Sequence, residues 1–177
     1  MLCRTLILGG VSTETKYDDY VVMAAMIQKF TPYIEWPTNA FPAPNSPFVI
    51  GILGSNPFGE ALERIKKTGS IKNRSLVVTN YSSLQEAKGC HILFISSSEK
   101  ENLRPLSDQL KELSTQSGIL TIADTEGFLE LGGMINFAPV KKSGAIKVDF
   151  EINRAAADQA GIRIQTALLK LARKVRS

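Results

Sequence analysis

Apolar positions along this chain alternate between two periods, one helical and one extended. Tyr20, Met23, Ile27, Phe30 and Ile34 are spaced 3, 4, 3 and 4 apart, which predicts a helix over residues 17–34 with one buried stripe. Pro32 is expected to break or kink its end. Past a loop holding Pro37, Pro42, Pro44 and Pro47, residues 48–53 form a continuous apolar run closed by Gly54. That is the pattern of a strand buried on both faces. Residues 75–80, 90–95 and 118–123 predict three more strands, the most hydrophobic being Cys-His-Ile-Leu-Phe-Ile at 90–95. Asn56 and Pro57 open a helix that runs to Lys67, and residues 84–88 read as a short helix or turn. A helix over 99–114 carries Leu103, Leu106, Leu110 and Leu113 on one face.

Residues 125–131 read as a turn, after which Gly132 and Gly133 introduce a strand over 134–137. It is expected to form a hairpin with residues 145–152 through 139–144. There Ile146, Val148 and Phe150 alternate with Lys147, Asp149 and Glu151, so one face is buried. Asn153 fits the N-cap of a short alanine-rich helix that Gly161 ends. Ile164, Leu168, Leu171 and Val175, spaced 4, 3 and 4 apart, then predict one closing helix with a cationic last turn. Strands alternating with amphipathic helices imply an α/β fold with a largely parallel central sheet flanked by helices. A C-terminal antiparallel strand pair and the closing helix complete a single domain over 17–176. Residues 1–16 are expected to be a poorly ordered tail or the remnant of a trimmed signal region.

Composition changes this picture little. The 177 residues are 44% apolar and 21% charged, an ordinary globular balance that can bury a full core. A net charge of +4 is too mild, and too poor in interleaved aromatics, to indicate nucleic acid. Of the two cysteines, Cys90 opens an apolar run and reads as a structural thiol. The start of the chain lacks the longer apolar region and cleavage site of a complete secretory signal. The chain is therefore cytoplasmic, or its start is truncated or trimmed.

Candidate chemistry is sparse. His91 is the single histidine and lies inside an apolar strand, where a satisfied side chain outweighs a catalytic base. Strand geometry turns it away from Cys90, so the two form no nucleophile–base dyad. The chain has neither a Cys/His zinc spacing nor a G-x-S-x-G elbow. Gly54, Ser55 and Asn56 lie between a strand and a helix and could cradle an anion, although no dinucleotide or P-loop fingerprint surrounds them. Ser96, Ser97 and Ser98 read as a helix cap, and Asp124, Glu126 and Glu130 as polar residues around a turn rather than a receiver-like acidic site. No catalytic set, metal site or cofactor is expected, and binding or regulation is favoured over catalysis.

Several separated blocks together resemble the YfiR family of small bacterial periplasmic proteins. They are Phe30-Thr-Pro-Tyr-Ile-Glu-Trp-Pro37, residues 49–54, the strand at 90–95, Leu-Thr-Ile-Ala-Asp-Thr-Glu-Gly-Phe at 120–128, Gly-Gly-Met-Ile-Asn-Phe at 132–137, Phe-Glu-Ile-Asn at 150–153 and the Ala-Gly-Ile block from Ala160. The resemblance implies a non-enzymatic regulator located in the periplasm. The best-known member represses a membrane diguanylate cyclase by binding its periplasmic part, which lowers cyclic-di-GMP signalling and biofilm formation. An outer-membrane lipoprotein can sequester that repressor. Relatives also occur beside histidine kinases, whose sensor regions join the candidate partners, and family members form dimers. Better-studied members carry two intradomain disulfides, of which only Cys90 has a counterpart here, so redox control is not expected. The resemblance places the partner surface toward the C-terminal half, at Phe137, Phe150, Glu151 and Ile152, with Arg163 added. Residue by residue, however, Phe137 and Phe150 also read as core, packed across their two strands. A ligand-binding sensor domain of a two-component or related system, using Gly54–Asn56, is the alternative.

Overall fold

The computed structural model describes residues 13–68, 70–142 and 145–177. Helix α1 (Thr13–Phe30) ends in a single 3-10 turn, Thr31–Tyr33, with Pro32 at its first positions, and the chain leaves it as a two-residue strand β1 (Ile34–Glu35). The proline removes a donor that a continuing helix would need, so the expected helix stops four residues early at its C-terminal end. At the other end α1 begins at Thr13, inside the segment expected to be a tail. Residues 1–12 lie outside the described residues.

Strand β2 (Phe48–Leu53), helix α2 (Ala61–Thr68), strand β3 (Leu76–Tyr81), strand β4 (Ile92–Ile95), helix α3 (Leu103–Ser117) and strand β5 (Leu120–Ala123) follow in order. Then come β6 (Ile135–Lys142), β7 (Ala145–Asn153), a short helix α4 (Arg154–Gln159), β8 (Arg163–Ile164), one turn of helix α5 (Thr166–Leu169) and β9 (Lys174–Arg176). The main sheet has the order β3-β2-β4-β5-β6-β7-β9, while β1 and β8 pair antiparallel in a small ribbon. Strands β3 to β6 run parallel, β7 turns back antiparallel to β6, and β9 runs parallel to β7. The fold class is the one the pattern predicts. The expected hairpin forms with longer strands than predicted, and its tip at 143–144 lies outside the described residues.

One expectation fails. Residues 164–175 do not make a single closing helix. Only α5 is helical, after which the Arg173 amide donates to the Phe150 carbonyl at 2.8 Å and the chain joins the sheet as β9. An open β7 edge offers a row of unpaired backbone groups, and pairing them outweighs helical spacing in so short a segment.

Alternation sorts the side chains into two layers. Ile50, Ile52, Ile92, Phe94, Leu120, Ile122, Ile135, Phe137, Phe150 and Ile152 join α1, α2 and α4 in one core. Leu93, Ile95 and Ala123 join α3, the 3-10 segment Leu84–Gly89 and Phe128 in the other. Gly133 is required there because a Cβ at that position would overlap the buried Phe128 ring. The second layer covers β2, β4 and β5 but stops short of β6, β7 and β9, whose outer face carries Asn136, Glu151 and Lys174 in one cross-strand row.

Candidate functional site

Three of the five residues expected to contact a partner belong to the core. Phe30 of α1 reaches over β6 and β7, its ring centroid 6.1 Å from Phe137 and 4.6 Å from Phe150. Phe137, Phe150 and Ile152 are 1%, 5% and 0% exposed, so no partner reaches them in this state. Period-two alternation turns Glu151 the opposite way, where its Oε1 accepts from Arg173 Nη2 at 2.5 Å. Arg163 lies on the solvent-facing side of the β1–β8 ribbon, 3.6 Å from Glu35. Arg163 is therefore exposed, Glu151 is mostly buried and paired with Arg173, and the expected aromatic anchor lies in the core.

Gly54, Ser55 and Asn56 sit where an open α/β sheet most often binds a ligand, beyond the carboxyl ends of β2 and β4, where strand order reverses. Here the polar groups of the turn already have partners within the chain. The Ser55 amide donates to Ser98 Oγ at 2.9 Å, and Asn56 Oδ1 accepts the Phe58 amide at 2.9 Å in a local turn. Gly54 has φ +86°, and a Cβ on it would come within 2.5 Å of Ser98 Oγ. Ser96 Oγ accepts the Ser98 amide, so the serine cluster caps its turn as the sequence suggests. One strand along, Tyr20 Oη donates to Asp124 Oδ2 at 2.5 Å and ties α1 to the end of β5. Burial first, and the hydrogen bond to Asp124 second, push the Tyr20 phenol well above its ordinary range.

His91 is structural. Its Nδ1 accepts the Val49 amide at 3.0 Å and Nε2 lies 3.1 Å from the Ala40 carbonyl, to which it donates. The ring stacks on Phe41 at 4.2 Å and against Phe48 at 5.0 Å, and Arg74 lies over Phe41. Burial holds the imidazole below its ordinary pKa, with Arg74 adding to the shift. Trp36 Nε1 donates to the His91 carbonyl at 3.0 Å, which joins two of the family-like blocks in space. Both ring nitrogens are committed, so His91 is not placed to move a proton for a substrate.

The concave site that the sequence did not announce lies on the outer face of β6, β7 and β9. It is a cleft of about 470 Å³ walled by the turn carrying Asp124, Glu126 and Glu130, with Asn136 and Glu151 on its floor and Arg173, Lys174 and Arg176 along its far side. Arg176 Nη2 donates to Glu130 Oε1 across the opening. The Glu130 carboxyl is held below its usual range, first by its own backbone amide and then by Arg176. These residues come from four separated stretches and form no motif. The one local signal is Asn136, a residue type depleted in strands, set inside Met-Ile-Asn-Phe.

Residues 20–173 match the sequence profile described as YfiR/HmsC-like. The chain belongs to the YfiR/HmsC-like family. At family level these are periplasmic, non-catalytic regulators of diguanylate cyclases. No curated protein matches the chain. Among solved structures it is similar to a conserved domain protein from Vibrio cholerae O1 biovar El Tor, with TM-score 0.55 and 14% identity over 89% of this chain. It is also similar to an ABC domain in complex with L-Trp from Streptococcus pneumoniae, with TM-score 0.53, 14% identity and the same coverage. The chain spans 60% of the length of each, and at such identity the likeness concerns the fold alone. Among the described residues no helix is long and apolar enough to cross a membrane.

Proposed function

We propose that this chain is a periplasmic repressor that binds the sensor region of a membrane diguanylate cyclase and holds the enzyme inactive through protein contacts. The family match over residues 20–173 carries this reading. The committed ring nitrogens of His91 agree with a role that is not catalytic. Arg163 is the contact candidate that keeps an exposed side chain, whereas Glu151 is mostly buried against Arg173. Leu171, 70% exposed between α5 and β9, adds an apolar residue on the same C-terminal stretch. A histidine kinase sensor region is the second candidate partner, an outer-membrane lipoprotein the candidate antagonist, and a second copy of the chain a candidate for self-association.

The experiment is a pull-down with the purified chain against solubilised membranes of its own bacterium, followed by cyclic-di-GMP synthesis by the recovered enzyme with and without the chain. Retention of a cyclase whose activity falls on adding the chain, and recovers with Arg163→Glu or Leu171→Asp, is the expected result. A retained cyclase indifferent to the chain overturns repression. Retention of a histidine kinase alone transfers the reading to that partner.

A further inference from the structure

Among the described residues the main sheet has two edges, β3 and β9, and they are built differently. An edge strand exposes unpaired backbone groups, which proteins guard by keeping the strand short, charging it, or interrupting it with proline or a bulge. β9 is three residues long and carries Lys174 and Arg176. β3 is six residues long, Leu-Val-Val-Thr-Asn-Tyr, with no charge and no proline, and it keeps an unbroken register with β2 from Leu76 to Tyr81. The Phe48 amide donates to the Ser75 carbonyl at 2.8 Å, which in a parallel ladder turns the backbone groups of Ser75, Val77, Thr79 and Tyr81 toward β2. Those of Leu76, Val78 and Asn80 point outward and have no hydrogen-bond partner among the described residues. Val77 adds an apolar side chain to this edge and is 36% exposed.

The outward groups recur at every second residue, so another β3 laid antiparallel satisfies all of them. With a twofold axis at Val78, that residue exchanges both bonds with the second copy's Val78, and Leu76 does the same with the second copy's Asn80. Val77 then lies across from the second copy's Thr79, a β-branched pair of the kind that stabilises neighbouring strands. No like charges meet, since the strand has none. Because that register is self-complementary, the occupant it fits is the chain itself. We propose that β3 pairs in this way with β3 of a second copy, joining the two seven-stranded sheets into one. The same patch is used on both copies, and the joined sheet ends at the guarded β9 strands, so assembly closes at two. Self-association is measured on the chain alone and stands apart from the regulator reading.

The test is sedimentation velocity of the full chain at roughly 1 to 100 μM, with amide hydrogen exchange read at both ends of that range. A reversible dimer is expected, with the amides of Leu76, Val78 and Asn80 exchanging more slowly at the higher concentration. Val77→Lys gives β3 the kind of charge that β9 carries, on an exposed side chain, and should weaken dimerisation by about tenfold or more with the melting curve unchanged. Asn80→Pro removes an outward amide that pairing with β2 does not use, should weaken dimerisation comparably, and serves as the second variant if Val77→Lys fails to fold. The proposal is overturned if the chain stays monomeric, if it grows past the dimer into open-ended assemblies, if the three amides exchange alike at both concentrations, or if a folded variant dimerises as tightly as the parent.

Discussion

The ring of His91 accepts the Val49 amide at 3.0 Å while the His91 backbone amide donates to the Val49 carbonyl at 2.9 Å, so one side chain seats the start of β2 against β4. A proton on Nδ1 would set two donors facing each other. Burial already holds the folded imidazole below its ordinary pKa.

That geometry fixes a pH dependence. The unfolded histidine titrates near pH 6.5 and the folded one lower, so between these values the unfolded chain binds more protons and stability rises with pH. The contribution is complete above about pH 6.5 and declines as pH falls toward the folded pKa, by at most about 1.4 kcal/mol per unit. Urea unfolding at pH 7.5, 6.5 and 5.5 should show the midpoint falling on the acid side, with a shallower fall in His91→Gln. Parallel curves for parent and variant would remove His91 as the cause.

A second prediction concerns the clamp between α1 and β5. Tyr20→Phe keeps the ring against Phe58, 5.8 Å away, and deletes the hydroxyl that donates to Asp124. Hydrogen bonds to charged groups contribute about 1.5–3 kcal/mol, so the variant should lose that order of stability in urea. Asp124→Asn removes the charge from the same bond, and the double variant should lose less than the sum of the two. Additive losses would mean the two groups do not act on each other.

The buried aromatics separate core from surface directly. Phe137→Asp places a carboxylate beneath Phe30 in a fully enclosed layer, where an unpaired charge costs several kcal/mol, so the chain should fail to fold. Arg163→Glu, on the solvent-facing side of the ribbon with a loose 3.6 Å ion pair, should leave the melting curve within about 0.5 kcal/mol of the parent. Circular dichroism melts of both distinguish the cases. A folded Phe137→Asp would return that residue to the contact surface.

What the sequence discloses and what it hides follow from how local each feature is. The runs at 48–53 and 90–95 announce β2 and β4 because strands covered on both faces are apolar throughout. Asn153 is legible as a cap, and its Oδ1 accepts the Ala156 amide at 3.1 Å. Leu171 and Val175 mislead, since their spacing suits a helix but both are exposed and Val175 belongs to β9. The competing demand, an open β7 edge, is visible only once the sheet exists. The same holds for the cleft. Asp124, Asn136, Glu151 and Arg176 are far apart in sequence and meet through the register of β6, β7 and β9.

The last prediction tests the lower core layer through Cys90. Its thiol donates to the Ala87 carbonyl at 3.1 Å and is buried with Leu84, Leu93 and Leu113. Burial pushes its pKa up to about 12, so almost no thiolate exists at pH 8, and the thiolate is the reactive species. In a Cys3→Ser background, a disulfide-exchange reagent such as DTNB should leave Cys90 unmodified in buffer and label it fully in denaturant. Because access requires opening of the α3 layer, the labelling rate should track stability, faster in Tyr20→Phe only if that opening is global and unchanged if it is confined to α3. Rapid labelling of the folded parent would show that the layer over β4 is open to solvent, contrary to the packing described.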